Sequence, residues 1–115
     1  MYINSKKDLY HKRNNNEIDE IDKYLQHLYN FSSFIASFHK PLITISNGVT
    51  QGAGAAFLTS SNFSCVTEST TMSYPETNYG LSPHAGNIYY LSRMPGEIGT
   101  FLALTGYVLK ASDLV

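Results

Sequence analysis

The sequence predicts an α/β fold, on three observations. Ile18, Ile21, Leu25, Leu28, Phe31 (or Ser32), Ile35 and Phe38 recur at spacings of three and four, which marks one apolar face of a helix. Residues 42–46 are a short apolar, β-branched run of strand length. Gly52-Ala53-Gly54-Ala55-Ala56 then opens a second helix among residues with almost no side-chain volume. Strand, helix, strand, strand and helices in that order, joined by short connections, make an α/β arrangement.

Taken in order, residues 1–16 are polar, with Lys6, Lys7, Lys12, Arg13 and the run Asn14-Asn15-Asn16, and read as a loop or insertion. Residues 17–38 read as a helix. Asn16 is its expected N-cap, and Glu17, Asp19, Glu20 and Asp22 sit where the helix dipole favours negative charge. Pro41 forces the exit, because a residue before proline avoids helical geometry. The strand at 42–46 is expected to be buried and to end at Asn47-Gly48. Residues 63–67 and 71–74 read as two further short strands around a turn at 68–70, the second stopped by Pro75. A loop follows, punctuated by Asn78, Gly80, Pro83 and Gly86. Helices are expected at 87–93 and at 98–104, the latter closed by Gly106, with a last short strand at 107–109.

Composition narrows the function. At 115 residues the chain is one domain at most, and 43% hydrophobic content is enough to build a core. A net charge of −1 leaves no electrostatic footprint for nucleic acid or an anionic membrane. No apolar run approaches the roughly 18 residues of a membrane-spanning helix, and the first residues lack the form of a signal peptide. The single Cys65 excludes an internal disulfide. Ser112 has the form of a helix N-cap with nothing after it to cap, so the chain is expected to be part of a larger domain.

Two stretches carry candidate chemistry. Small residues at 52–56 let a backbone approach a ligand closely, and the first turn of a helix offers free N–H groups, so this turn is expected to stabilise an anion. Tight packing of helix on strand would select the same residues. Glu76 is the one carboxylate of an otherwise uncharged loop and is the expected acid/base group; the plainer reading is a turn cap. His11, His27 and His39 show no metal-ligand spacing with Cys65 or each other. Arg93 is expected to pair with a carboxylate or cap a helix end. The tyrosines at 74, 79, 89, 90 and 107 are expected in the core and at its rim.

Lys40-Pro41 to Asn47-Gly48, the Gly52-Ala53-Gly54 turn and Pro75-Glu76-Thr77 resemble the crotonase (enoyl-CoA hydratase/isomerase) superfamily. Pro75-Glu76-Thr77-x-x-Gly80-Leu81-x-Pro83, Tyr90-Leu91-Ser92-Arg93-Met94-Pro95-Gly96 and Phe101-Leu102-Ala103-Leu104-Thr105-Gly106 resemble its 3-hydroxyisobutyryl-CoA hydrolase branch. The resemblance covers residues 17–115 and implies the central part of a crotonase-like β-β-α spiral, incomplete in this chain. It implies hydrolysis of an acyl-CoA thioester in valine catabolism, with acyl-CoA as substrate and no cofactor. It also implies a mitochondrial location, no nucleic-acid or membrane partner, and a possible homo-oligomer.

By the same resemblance the catalytic glutamate is Glu76, acting as base toward water or as nucleophile toward the thioester carbon. One oxyanion donor is the backbone N–H of Ala53, next to Gly52; the other lies upstream of residue 17 in the family and has no counterpart at Ser5-Lys6-Lys7-Asp8. His84 stands where the hydrolase branch carries an aspartate, and becomes a second catalytic candidate, able to bond a substrate hydroxyl or move a proton. Leu28 replaces an acidic residue, and Ala56 stands where hydratases place a second glutamate, which disfavours water addition by two carboxylates. Two other readings remain: a crotonase-fold subunit for assembly or binding that has lost chemistry, and a hydratase/isomerase-type enzyme working with one carboxylate.

Overall fold

A computed structural model describes residues 13–15 and 18–115. Of the segment read as a loop or insertion, only residues 13–15 are described, and Arg13 and Asn14 are helical there; the rest, including the Asn16 cap, lies outside the described residues. The chain then runs through helix α1 (Ile18–Ala36), strands β1 (Ile43–Ser46) and β2 (Val49–Gln51), helix α2 (Ala53–Ser60), and strands β3 (Phe63–Val66) and β4 (Thr71–Ser73). A 3-10 helix at Pro75–Tyr79, α3 (Asn87–Leu91), a 3-10 turn at Pro95–Glu97, α4 (Ile98–Thr105), β5 (Leu109–Lys110) and a 3-10 turn at Ala111–Asp113 follow.

The strands form two small sheets. β1 pairs in parallel with β3, Ile43 opposite Phe63 and Ile45 opposite Cys65. β2 pairs in parallel with β4, which pairs antiparallel with β5. The chain changes sheet at Asn47-Gly48, where Gly48 takes a φ of 93° that suits glycine. The neighbouring 67–70 turn is fastened to this corner: Thr70 Oγ1 donates to the Ser46 carbonyl (2.8 Å), and the Thr67 and Ser69 hydroxyls both donate to Asn47 Oδ1 (2.9 Å each). β1 thus ends at Asn47-Gly48, as expected, and β2, which joins the other sheet, is an element the residue pattern does not predict.

The core gathers Ala55 and Leu58 of α2, Met72 and Tyr74 of the β4 segment, Leu91 of α3 and Leu102 of α4. α3 and α4 cross so closely that a Cβ on Gly99 would fall 1.8 Å from the Leu91 carbonyl oxygen, so only glycine fits. Three expectations need correction. Ile43 and Ile45 of β1 are 62% and 74% exposed, so this strand is covered on one face only. On α1 the inward stripe takes the second of its two expected positions, Ser32, while Phe31 leans outward onto the Phe57 ring, 5.4 Å between centroids, so this expectation stands. Of the tyrosines, Tyr74 is fully buried and Tyr90 partly, but Tyr79, Tyr89 and Tyr107 are exposed. Ser112 is not a cap; it lies inside the last 3-10 turn, where the Lys110 backbone N–H donates to Asp113 Oδ2 (2.8 Å).

Candidate functional site

The site forms because β2 and β4 run in parallel and in register, Gln51 opposite Ser73. Whatever follows each strand emerges at the same sheet edge, the usual place for ligands in α/β folds. After β2 come Gly52 and Ala53; after β4 come Tyr74, Pro75 and Glu76. The Gly52 N–H donates to the Ser73 carbonyl (3.0 Å), which locks the two exits together.

Gly52 takes φ 56° and ψ −124°. A side chain is excluded there twice: by that backbone conformation, and because a Cβ would lie 2.8 Å from Glu76 Oε1. The carboxylate therefore packs directly on the turn. Ala53 is the first residue of α2, where backbone N–H groups have no intrahelical partner. The left-handed demand falls on Gly52, and Ala53 has no positive φ, so its methyl is tolerated.

Glu76 is 3% exposed. Pro75 starts the 3-10 turn that holds it, and Gly80, at φ 72°, ends that turn with its N–H on the Thr77 carbonyl (3.0 Å). One carboxylate oxygen, Oε1, lies 3.5 Å from Nδ1 of His84, whose side chain is 41% exposed. The other, Oε2, is buried with no hydrogen-bond partner. A buried acceptor costs roughly 1–3 kcal/mol when unpaired, so this oxygen is open to a donor from a bound molecule. In the same segment, burial pushes the Tyr74 hydroxyl up to about 12, and the nearby Glu76 charge adds to the shift.

Asn87 joins the site, though nothing in the residue pattern singles it out. It is fully buried, and its Nδ2 donates to the Gly52 carbonyl (3.0 Å) while its backbone N–H donates to the His84 carbonyl (3.1 Å). Between them, Ala85 is buried at φ 55°, a strained conformation for a residue with a Cβ. A cavity of about 240 Å³ opens beside this loop, lined by Tyr29 and Ser32 of α1, Ala56 and Phe57 of α2, and Ala85 and Tyr90. Leu28 is half-buried on the inner side of α1.

Gly52, Glu76 and His84 thus meet, with the Ala53 N–H on the adjacent residue. A buried carboxylate beside a helix-start N–H can activate water or attack a carbonyl carbon, while the N–H stabilises the oxyanion. Arg93 is not part of it: Nη1 donates to the Tyr89 carbonyl (2.9 Å) and the guanidinium stacks 3.6 Å from the Tyr89 ring centroid, so it caps α3. Among the described residues, no group of three or more His, Cys, Asp or Glu is placed to hold a metal ion, and no helix is long and apolar enough to cross a membrane.

The sequence model described as enoyl-CoA hydratase/isomerase matches residues 6–115. The small ribosomal subunit protein mS47 of Arabidopsis thaliana is 37% identical over 107 residues, covering 93% of this chain and 26% of that protein. The mitochondrial 3-hydroxyisobutyryl-CoA hydrolase of Danio rerio is 40% identical over 86 residues, covering 75% of this chain and 22% of that protein. A crystal structure of an enoyl-CoA hydratase from Rhodobacter sphaeroides superposes with a TM-score of 0.68 at 35% identity, over 75% of this chain and 26% of that one. The chain spans about a quarter of the length of these relatives.

Proposed function

From the premise that the chain belongs to the enoyl-CoA hydratase/isomerase family, we propose that the protein hydrolyses an acyl-CoA thioester, as the 3-hydroxyisobutyryl-CoA hydrolases similar to it are named for doing. The observation that carries this reading is the buried Glu76 packed on Gly52, one residue before the free N–H of Ala53, with no second carboxylate at Ala56. The thioester oxygen sits at the Ala53 N–H, and the acyl group enters the cavity beside Ala56 and Ala85. Glu76 takes a proton from water, whose oxygen attacks the carbonyl carbon; the C–S bond then breaks and the CoA sulfur leaves, taking up the proton. Alternatively, a Glu76 oxygen attacks the carbonyl carbon, the C–S bond breaks and the CoA thiolate leaves; water then hydrolyses the resulting anhydride, restoring the Glu76 carboxylate, releasing the acid and protonating the thiolate. A single turnover in ¹⁸O-water that leaves label in Glu76 identifies the second route, with water attacking the glutamyl carbonyl, since direct attack by water places the label in the product acid alone.

His84, partly exposed and beside Oε1, exchanges the Glu76 proton with solvent or bonds a hydroxyl on the acyl group. The reaction balances with water and acyl-CoA alone and needs no cofactor. A mitochondrial location is in keeping with relatives such as the mitochondrial 3-hydroxyisobutyryl-CoA hydrolases of Danio rerio and Mus musculus. Its test is release of free CoA by the full-length protein across a panel of acyl-CoA thioesters, with 3-hydroxyacyl groups expected to be fastest.

A second reading is an assembly subunit without chemistry. It is favoured by His84, which stands where the hydrolase branch has its aspartate, and by the likeness to mS47 over most of this chain. In that reading the intact protein turns over no thioester and co-sediments with a large ribonucleoprotein.

A further inference from the structure

We infer that Asn87 is a positioning residue that orients the Ala53 N–H, the oxyanion donor, by holding the opposite edge of the same peptide group. A trans peptide points its C=O and N–H in opposite directions in one plane. The Gly52 carbonyl and the Ala53 N–H are the two edges of one such group. Its carbonyl accepts two hydrogen bonds, from the Ala55 N–H (3.0 Å) and from Asn87 Nδ2 (3.0 Å). The first is a bond of the helix itself; the second comes from 35 residues away and fixes the plane from outside.

Gly52 takes a conformation open to glycine on either side of its peptide, so the Asn87 bond adds a fixed direction that the backbone alone does not impose. A donor on the carbonyl also polarises the peptide and strengthens its N–H as a donor, by roughly 10–30% per bond in a chain of hydrogen bonds.

Asn87 is poorly explained as a stabilising residue. It is fully buried, yet its Oδ1 has no hydrogen-bond partner. An apolar side chain of the same size would avoid that cost. What the amide alone supplies is the Nδ2 bond to Gly52. Because the Asn87 N–H also holds the His84 carbonyl (3.1 Å), one residue sets both the oxyanion donor and the loop that carries His84.

The inference rests on the thioester reading for its catalytic meaning, but its structural core is testable without substrate. The full-length Asn87→Leu protein loses both the bond and the orphan acceptor, so its melting temperature should hold or rise. The Ala53 amide proton resonance should move upfield in the free protein, as the bond polarising its peptide is lost. Thioester hydrolysis should fall about tenfold in kcat with KM within twofold, because a misdirected donor acts on the transition state. Asn87→Ser, which keeps a short donor and a smaller side chain, serves as a second variant should the leucine fail to fold. It should give a smaller displacement of the same resonance. An unmoved Ala53 resonance in the variant that folds overturns the inference. A displaced resonance in a protein that hydrolyses no thioester, wild type included, leaves the Asn87 link standing and removes the hydrolase reading instead.

Discussion

The two ends of helix α2 face different surroundings. Its N-terminal turn meets Glu76, Asn87 and the buried residues of β4, and there even polar side chains are enclosed. Its C-terminal half keeps Leu58 in the core but turns Phe57 toward α1 and β1, where α1 has no buried residue and β1 shows Ile43 and Ile45 outward. The site is therefore built on the densest part of the molecule. Close packing is what a fixed backbone donor and a buried carboxylate require, since geometry loose by 1 Å can cost about 100-fold in rate. The α1–β1 region contributes a cavity wall, and its contacts are fewer and more exposed.

This contrast can be tested, starting with the largest effect. Leu102→Ala removes a side chain that is 1% exposed at the centre of the core, and should cost about 3 kcal/mol in denaturant unfolding, with loss of activity where folding fails. A cost below 1 kcal/mol would show that the core is not where stability resides. Next is the high-pH limb. Tyr74 is raised from 10.0 to about 12 in the folded state, so folding holds its proton. Stability is fully present below pH 10, and falls by about 1.4 kcal/mol per pH unit as the unfolded phenol ionises, until pH 12. Tyr74→Phe should remove that share of the slope, measured against wild type to cancel the other tyrosines and lysines.

Smaller effects belong to the other region. Phe31→Ala loses only the tilted contact with Phe57 from a ring that is 48% exposed, and should cost about 1 kcal/mol or less. Ile45→Thr, at a strand residue 74% exposed, should change stability by no more than about 0.5 kcal/mol while raising the solubility of the isolated 1–115 chain. If Phe31→Ala matched Leu102→Ala, the two regions would be equally packed and the contrast would fail.

Much of this was legible in the residues, and the misses have physical causes. The α1 stripe, the small-residue turn and the Pro75 stop are local signals, and each appears within a few residues of its expected place. The proximity of Glu76 to the 52–53 turn followed from the family resemblance; its physical cause, the in-register pairing of β2 with β4, did not show, because Val49–Gln51 is only three residues long and follows an Asn-Gly bend that reads as a strand end. The exposure of Ile43 and Ile45 was also hidden, since an apolar β-branched run looks the same whether one face or both are covered. Asn87 was invisible for a different reason. Its role is a single hydrogen bond to a carbonyl 35 residues away, and asparagine at a helix start is an ordinary local choice.

The central claim is that Glu76, buried against Gly52, performs the chemistry on a thioester. The most direct measurement compares free CoA release by the full-length protein with that of Glu76→Gln, which keeps the size and polarity of the side chain but neither base nor nucleophile. Wild type should release CoA well above the uncatalysed rate, and the variant should lose about 10²–10⁴ of that rate while still binding the thioester. Equal rates in the two proteins, or no release by either, would contradict the account.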